Sequence, residues 1–414
     1  MTSDFEKKLA KYADLIVKVG LNLQPGQRLF IWTGPLEVAP LVREVTAAAY
    51  ANGAPLVSVL WMDEQIGKIR LENAPADSFE EYPSWTTEGL HTSMQRGDAY
   101  LQLFGLDPQR LKGQDPDHLA IAGKTASKHY KPIGALQSRN AVQWAYVAAV
   151  TSGWAQRVFP TLSPQDAEER LWEAVFAACR LDQPDPIALW TQQEKDLSQR
   201  KNILTAKQYS ALHFITPGTD LRVGLPTGHK WEGGGDLTPE GVLFMANIPT
   251  EEVYTMPHKD KVDGVVASSK PLSYQGNLIE NFNLTFDNGK VVDYSAENVE
   301  DVLGRLLDTD ENARFLGEVA LIPHKTPISQ LGILFLNTLY DENTSNHLAL
   351  GSAYRYTLEG GTDMSDEDFA KAGGNDSLVH VDFMFGSEKM DVDGILADGS
   401  SEPLMRAGEW ATST

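Results

Sequence analysis

The sequence predicts an α/β N-terminal domain with a mainly parallel sheet and an α+β C-terminal domain with mostly antiparallel strands. In the first 150 residues, short apolar runs alternate with helix-period segments, which is typical of parallel strands joined by helices. Beyond about residue 210, glycine-rich turns separate short β-like runs instead. The segment 181–186 (Leu-Asp-Gln-Pro-Asp-Pro) is the strongest boundary signal between these regions. We therefore predict one domain over residues 1–185 and a second over residues 186–414.

Apolar runs bounded by turn signals predict the strands of the first domain, at residues 28–33, 55–61, 100–104 and 142–147. Helix-period segments predict helices at residues 38–52, 118–140, 163–180 and 187–209. The first of these helices stops at Gly53, and the second is expected to break near Pro132. In the second domain, runs at 219–225 and 282–292 predict strands, and Asn288-Gly289 predicts a hairpin turn.

The chain carries a formal net charge of −22, and residues 201–414 contribute most of it, with 33 acidic and 15 basic residues. Such a surface repels nucleic acid, so we expect no nucleic-acid partner. It attracts cations, including metal ions and peptides with a free amino group. No apolar run approaches the roughly 20 residues that span a bilayer, and the N-terminus lacks an apolar signal core. We therefore expect a cytoplasmic protein without a membrane partner.

Several common catalytic motifs are missing. The single cysteine, Cys179, excludes an intrachain disulfide and a cysteine-based zinc site. Gly123-Lys124-Thr125 lacks the glycine that a P-loop carries five positions earlier, where His118 stands. Gly233-Gly234-Gly235 lacks the spacing of a dinucleotide fingerprint, and the chain contains neither a Gly-x-Ser-x-Gly elbow nor a His-Glu-x-x-His helix. These chemistries are therefore not supported.

Acidic residues in the last third of the chain stand in apolar surroundings. His380 and Asp382 lie two residues apart in a strand-like run, so both side chains face one side, and an exposed edge strand is the alternative explanation. Glu318 begins the apolar run 318–322, where a buried carboxylate needs a cation, an arginine or several donors. In Glu251-Glu252, an extended backbone turns only one side chain inward, and the neighbour faces solvent or a salt bridge.

His347 and Tyr354 are seven residues apart, which on a helix places both side chains on one face. Taken alone, His347 is more often a capped or core histidine than a ligand. Asp341 and Glu342 lie just upstream, where they either cap the helix or reach a metal. Carboxylates and imidazoles are ligands that divalent metals accept. The whole set is therefore either a satisfied polar network or a metal centre.

Four segments resemble the thermophilic-type metallo-aminopeptidases, the family of aminopeptidases T and S. They are 249–255 (Pro-Thr-Glu-Glu-Val-Tyr-Thr), 317–321 (Gly-Glu-Val-Ala-Leu), 341–354 (Asp-Glu-Asn-Thr-Ser-Asn-His-Leu-Ala-Leu-Gly-Ser-Ala-Tyr) and 379–384 (Val-His-Val-Asp-Phe-Met). The similarity extends to 228–231 (Gly-His-Lys-Trp) and to the chain length, so it covers essentially the whole chain. The resemblance implies a homodimeric metallo-aminopeptidase of broad specificity, which removes N-terminal residues from peptides.

The resemblance also implies two divalent metal ions per chain (Zn, Co, Mn or Mg), held by the second domain. The implied ligands are Glu252, Glu318, His347, His380 and Asp382, with Glu318 bridging the ions. Glu342 and Tyr354 line the same site and either bind metal or act on the substrate. In the second case Glu342 carries a proton and Tyr354 donates a hydrogen bond to the developing oxyanion. The domain over residues 1–185 is then structural and cavity-forming.

Two other functions stay open on the residues alone. Two-metal sites also hydrolyse phosphoesters. Lys and Arg are scarce near these acids, however, and phosphate usually needs them. A non-catalytic, metal-dependent peptide-binding protein would use the same ligands without any chemistry.

Overall fold

The computed structural model describes residues 3–411. Its α-helices are, in chain order, α1 (Ser3–Leu15), α2 (Ala39–Ala51), α3 (Glu64–Asn73), α4 (Trp85–Gln95), α5 (Pro116–Gln137), α6 (Ser152–Val158), α7 (Pro164–Ala178), α8 (Pro186–Lys207), α9 (Glu300–Leu307), α10 (Pro327–Gln330), α11 (Thr338–Asp341) and α12 (Asp366–Lys371). A π-helical segment covers Ile16–Gly20, and 3₁₀ turns cover Leu36–Val38, Ala76–Glu80, Glu342–Thr344, Arg355–Thr357 and Gly361–Asp363. No helix in this described part of the chain is long and apolar enough to cross a membrane.

The strands are, in chain order, β1 (Leu29–Thr33), β2 (Val57–Trp61), β3 (Ala99–Phe104), β4 (Trp144–Ala148), β5 (Ala211–Thr216), β6 (Thr219–Gly224), β7 (Asp236–Leu237), β8 (Leu243–Phe244), β9 (Asn247–Ile248), β10 (Val253–Thr255), β11 (Val262–Ala267), β12 (Leu272–Tyr274), β13 (Asn277–Ile279), β14 (Asn283–Asp287), β15 (Lys290–Ser295), β16 (Leu316–Leu321), β17 (His347–Gly351), β18 (His380–Met384), β19 (Asp391–Ile395), β20 (Ser401–Arg406) and β21 (Glu409–Trp410).

Contacts within the chain divide it into two compact units. The first contains residues up to 194 together with 235–249, and the second contains residues 195–234 together with those from 250 onward. The division falls inside α8, a few residues after the single boundary predicted at 185/186. The segment 235–249 returns to the first unit because β9 pairs with β4 there.

The first unit is built on a five-stranded sheet in the order β2-β1-β3-β4-β9, and its strand pairs are parallel. Helices connect its successive strands, as parallel pairing requires, and the α/β prediction is confirmed. The predicted break at Pro132 is wrong, because α5 continues from Pro116 to Gln137 with that proline inside it. A proline removes one backbone donor from a helix, and the remaining turns of this long helix hold it together.

The second unit contains an eight-stranded sheet, in the order β15-β14-β11-β6-β5-β19-β20-β21, and a four-stranded sheet, in the order β10-β16-β17-β18. The pairs within both sheets are antiparallel, which confirms the α+β prediction. The predicted hairpin turn joins β14 to β15, with left-handed φ angles of 48° at Asn288 and 84° at Gly289. A single apolar core holds residues of both sheets together with residues of α8 and α9.

Candidate metal centre

The four-stranded sheet has one apolar face and one polar face. Its strands alternate, so that every second side chain enters the apolar core. The core side carries Val253, Val319, Leu321, Leu348, Leu350 and Phe383. The residues between them are the predicted ligands Glu318, His347, His380 and Asp382, and Glu252 directly precedes β10. The same alternation that builds the core therefore collects the predicted ligands on the opposite face.

A β-bulge in β16 turns Glu318 toward this polar face. Leu316 pairs with Leu350 and Glu318 pairs with Ala349, so Gly317 is the extra residue. Without a bulge, Leu316 and Glu318 would share one face. A side chain at Gly317 would place its Cβ 2.2 Å from Ser352 O, so glycine is required at this close approach.

The five predicted ligands converge around Glu318. One carboxylate oxygen of Glu318, Oε1, lies 3.2 Å from His347 Nε2, and the other, Oε2, lies 3.5 Å from His380 Nε2. Glu252 Oε2 lies 3.4 Å from His347 Nε2, and Asp382 Oδ1 lies 3.4 Å from His380 Nε2. The ligand atoms thus form two groups of three, which share Glu318 and lie within 4.8 Å of one another in each group.

Backbone carbonyl groups orient both imidazole rings. His347 Nδ1 donates to Glu342 O at 3.0 Å, and His380 Nδ1 donates to Ser352 O at 2.7 Å. A carbonyl oxygen only accepts, so Nδ1 carries the proton in each ring and Nε2 faces the carboxylates. Metal-binding histidines are held in this way in proteins, because the second ring nitrogen then presents its lone pair to the metal.

The electrostatics of the cluster are those of carboxylates crowded together in a buried site. Burial raises the pKa of Glu252 to about 8, and the charges of Glu318 and Asp382 act in the same direction. Burial alone would lower the pKa of His347, but its hydrogen bond to Glu318 and the neighbouring carboxylates raise it to about 10. The pKa of His380 is also raised, to about 9. Burial lowers it, but the hydrogen bond and charge of Asp382 outweigh this effect. Protons bound to Glu252, His347 and His380 therefore reduce the repulsion between the crowded carboxylates.

Glu342 and Tyr354 lie beside the cluster. Among the described residues, neither contributes an atom to the two groups of converging ligands. Burial raises the pKa of Glu342 well above its usual value, and the charges of Glu252 and Asp382 add to this. The ring of Tyr354 lies 4.7 Å from that of His380, and burial of the phenol raises its pKa, so the hydroxyl keeps its proton. Tyr354 as a whole is 40% exposed, which leaves it accessible to a substrate.

Two expectations about neighbouring residues are wrong, and a third is narrowed to one of its alternatives. His347 does not share a helix with Tyr354, since His347–Gly351 is the buried strand β17 and Tyr354 follows it. A short apolar run cannot be assigned to strand or helix by its periodicity. Of the two alternatives given for Glu251, exposure to solvent is ruled out, because the residue is 3% exposed. Asp341 neither caps a long helix nor joins the ligand groups. It accepts backbone N–H groups of the preceding loop, from Phe335 at 2.7 Å and Asn337 at 3.0 Å.

Other residues beside the cluster escaped the sequence reasoning. Asn343 is fully buried and links two ligand-bearing segments, since its Oδ1 accepts Glu251 N–H at 2.6 Å and its Nδ2 donates to Leu339 O at 2.9 Å. Tyr356 stacks on Tyr354 with ring centroids 5.3 Å apart, and its hydroxyl lies 3.0 Å from that of Tyr254. The only signal for Asn343 is its position within the segment 341–354 quoted above for the resemblance, and Tyr356 lies two residues beyond that segment.

The residues present fit a divalent metal. Three buried or half-buried carboxylates and two imidazoles provide oxygen and nitrogen donors, which borderline divalent ions accept. Glu252 Oε2 is buried without a hydrogen-bond partner in the described structure. The ion pairs of Glu318 are with imidazoles, and no arginine of the described chain pairs with it. A cation at this face would replace the bound protons as the partner of the carboxylates and satisfy these oxygens.

Comparison with known proteins agrees with this chemistry. A family model described as thermophilic metalloprotease (M29) matches residues 5–410. The chain belongs to the M29 family. The aminopeptidase AmpS of Bacillus subtilis is 46% identical over 407 residues, covering 98% of this chain and 99% of the relative. The aminopeptidase T of Thermus thermophilus is 46% identical over 406 residues, with the same coverage.

A solved structure confirms the fold of this M29 protein. Wild-type AmpT from Thermus thermophilus superimposes with a TM-score of 0.93 at 44% sequence identity, over 99% of this chain and 100% of that one. The resemblance to the thermophilic-type metallo-aminopeptidases is therefore confirmed. So is the prediction of a metal-dependent exopeptidase, since the M29 family is one of metalloproteases and its relatives here are named aminopeptidases.

Proposed function

We propose that this protein removes N-terminal residues from peptides, with broad specificity, at a centre that holds two divalent ions. Glu252 and His347 would hold one ion, His380 and Asp382 the other, and Glu318 both. The observation that carries this proposal is that the two oxygens of Glu318 face different imidazoles. When bound, the ions would supply Lewis acidity, which activates water and polarises a carbonyl group. Zn, Co, Mn and Mg are the candidate ions.

The residues beside the ligands would act on the peptide. A carboxylate oxygen of Glu342 would take a proton from water as the water oxygen attacks the scissile carbonyl carbon. The same oxygen would return the proton to the leaving nitrogen when the C–N bond breaks. The Tyr354 hydroxyl, which keeps its proton, would donate a hydrogen bond to the carbonyl oxygen as its charge develops. The acidic cluster would attract the free α-ammonium group of the first residue.

The test compares a peptide with a free N-terminus, the same peptide after N-acetylation, and leucine anilide. We expect release of the first residue from the free peptide and from leucine anilide but not from the acetylated peptide. Activity should be lost after dialysis against a chelator and return on adding Zn, Co, Mn or Mg. Mass spectrometry of the products identifies the released residue. Equal cleavage of the acetylated peptide would contradict an exopeptidase, and phosphatase activity without peptidase activity would favour the phosphoesterase.

We also propose that the protein is a homodimer, as the resemblance implies, and that it is cytoplasmic. Sedimentation equilibrium at micromolar protein would give twice the chain mass for a dimer, and fractionation of cells would place the protein. We assign catalysis to the second unit because it carries the whole ligand cluster. The net charge of −22 supports peptides rather than nucleic acid as partners.

A further inference from the structure

A ligand-sized cavity lies in the first unit, at the carboxyl ends of the parallel strands. Its volume is about 460 Å³, which is within the range of small-molecule sites. The segments that follow β1, β2, β3 and β4, including the first turns of α3 and part of α6, all line it. The strand order reverses at this point, because β1 pairs with β2 on one side and with β3 on the other. In open parallel sheets, ligands bind in the crevice at such a reversal.

Beside the cavity, the backbone at two glycines lies too close to a neighbouring backbone segment for any side chain to fit. A Cβ at Gly34 would lie 2.1 Å from Met62 O, and one at Gly105 would lie 1.8 Å from Ala149 O. These glycines follow β1 and β3 directly. The crevice is therefore formed by close backbone packing rather than by flexible surface side chains.

Four of the charged side chains at the cavity are occupied by contacts within the protein. Asp107 and Arg157 form a two-contact ion pair, with Nε–Oδ1 and Nη2–Oδ2 distances of 3.0 and 3.2 Å. Asp63 caps α3 by accepting Gln65 N–H at 2.8 Å. Lys68 pairs with Glu72, with an Nζ–Oε1 distance of 3.8 Å. These contacts leave Glu37, Glu64 and Arg110 as the charged groups that can meet a ligand.

The remaining acids and bases face the cavity with opposite charges. Glu37 and Glu64 each accept a single backbone N–H group, from Ser152 and Asp107, and burial raises the pKa of both. Arg110 lies close enough for its charge to act on Glu64, and no ion pair of Arg110 occurs among residues 3–411. A simple anion here would be repelled by the two carboxylates, and a simple cation by the guanidinium group. A ligand with both charges satisfies each side.

We propose that this cavity binds a free α-amino acid, with Glu37 and Glu64 accepting hydrogen bonds from its ammonium group and Arg110 donating to its carboxylate. Leu36, which lines the cavity and is 67% exposed, offers an apolar contact to an aliphatic side chain. Free amino acids are also what the proposed peptidase would release. Binding in this cavity nevertheless does not depend on that activity, because every residue named here belongs to the first unit.

Isothermal titration calorimetry on the full-length, metal-loaded protein tests the ligand. The probes are L-leucine, 4-methylpentanoate, which lacks the ammonium group, and 3-methylbutylamine, which lacks the carboxylate. We expect saturable binding of leucine and at least about tenfold weaker binding of both analogues, because each leaves one charged group of the protein unpaired. Absence of saturable leucine binding, or equal binding of either analogue, would overturn the proposal.

Variants then locate the site. Arg110→Gln and the double variant Glu37→Gln/Glu64→Gln should each weaken leucine binding by at least about tenfold. The matched control is Lys112→Gln, an exposed cation in the same loop outside the cavity lining, which should bind as the parent protein does. Glu318→Gln should also retain leucine binding. Loss of binding in Glu318→Gln with retention in Arg110→Gln would assign leucine to the metal centre and refute the cavity. Thermal unfolding of each variant verifies its fold.

Discussion

At the scale of single residues, Glu318 and Glu342 are two acids beside the same imidazole with different expected roles. Glu318 belongs to both ligand groups, whereas Glu342 belongs to neither within the described residues. Glu342→Gln should therefore lower kcat by about 10²–10⁴-fold while the metal content stays at that of the parent. Elemental analysis of the purified variant, beside anilide hydrolysis, measures both. Glu318→Gln is the matched comparison and should lose metal as well. Metal loss in Glu342→Gln would make Glu342 a ligand.

Tyr354 and Tyr356 permit a test of positioning at the same scale. Tyr354→Phe should lower kcat by about 10²-fold with metal content and KM unchanged, since only the hydrogen bond to the oxyanion is lost. Tyr356→Leu removes the ring that stacks on Tyr354 and should have a smaller effect on kcat. If Tyr356 acts through Tyr354, the leucine substitution has no further effect once Tyr354 is Phe. Additive losses in the double variant would show an independent role for Tyr356.

The charged residues of the site could be predicted from the sequence, and the neutral residues that hold them could not. Glu318 and Asp382 are conspicuous because a carboxylate within an apolar run needs an explanation. Asn343 is inconspicuous, because an asparagine in a polar run fits any turn. Its function arises only when Glu251, 92 residues away in the chain, comes within hydrogen-bonding distance.

At the scale of elements, two alanines make space beneath the cluster. Ala349 lies between Glu318 and Asp382 in the cross-strand register, and Ala320 lies between Tyr254 and His347. Both alanines are fully buried. Larger side chains at these two positions would fill the volume that the ligand side chains surround.

Ala349→Leu should therefore abolish metal binding and cost about 1–3 kcal/mol of folding stability through overpacking. Leu350→Met, at the next position of β17 but on the core side, is the matched control and should retain metal. Elemental analysis and urea unfolding measure the two effects. Full metal content in Ala349→Leu would show that the space between Glu318 and Asp382 is not part of the site.

β17 and β16 also show where element prediction fails. The run His347 to Gly351 is buried at every position, so it lacks the alternation that identifies a strand. The bulge at Gly317 is equally invisible, because it is defined by pairing with a partner strand rather than by local residue preference. Predictions succeeded where the signal is local, as in the Asn288-Gly289 turn.

At the scale of the whole molecule, metal binding should stabilise the fold. The ligands come from β16, β17, β18 and the residue before β10, so an ion would tie together segments that are far apart in the chain. An ion at a thousand times its dissociation constant adds about 4 kcal/mol. We expect chelation to lower the midpoint of thermal unfolding by several degrees in differential scanning calorimetry. Glu318→Gln should show no such shift, and an unchanged midpoint in the parent would contradict the linkage.

The sequence pattern predicts a parallel region followed by an antiparallel region. It does not predict how the chain passes between the two units. The segment 235–249 contains only two-residue strands, which carry no periodic signal. Its assignment to the first unit depends on the pairing of β9 with β4, a contact across roughly a hundred residues. Long-range pairing of this kind has no local signature.

That returning segment has a consequence for how the protein is made. Until residue 249 has left the ribosome, the first unit lacks β9, and β4 forms an open edge of its sheet. At about 5–20 residues per second, the wait after residue 194 lasts roughly 3–11 s. An unpaired edge of this type can pair with a neighbouring chain. The interval in which the nascent protein exposes this edge therefore ends just before Glu252, the first of the metal ligands in the chain, leaves the ribosome.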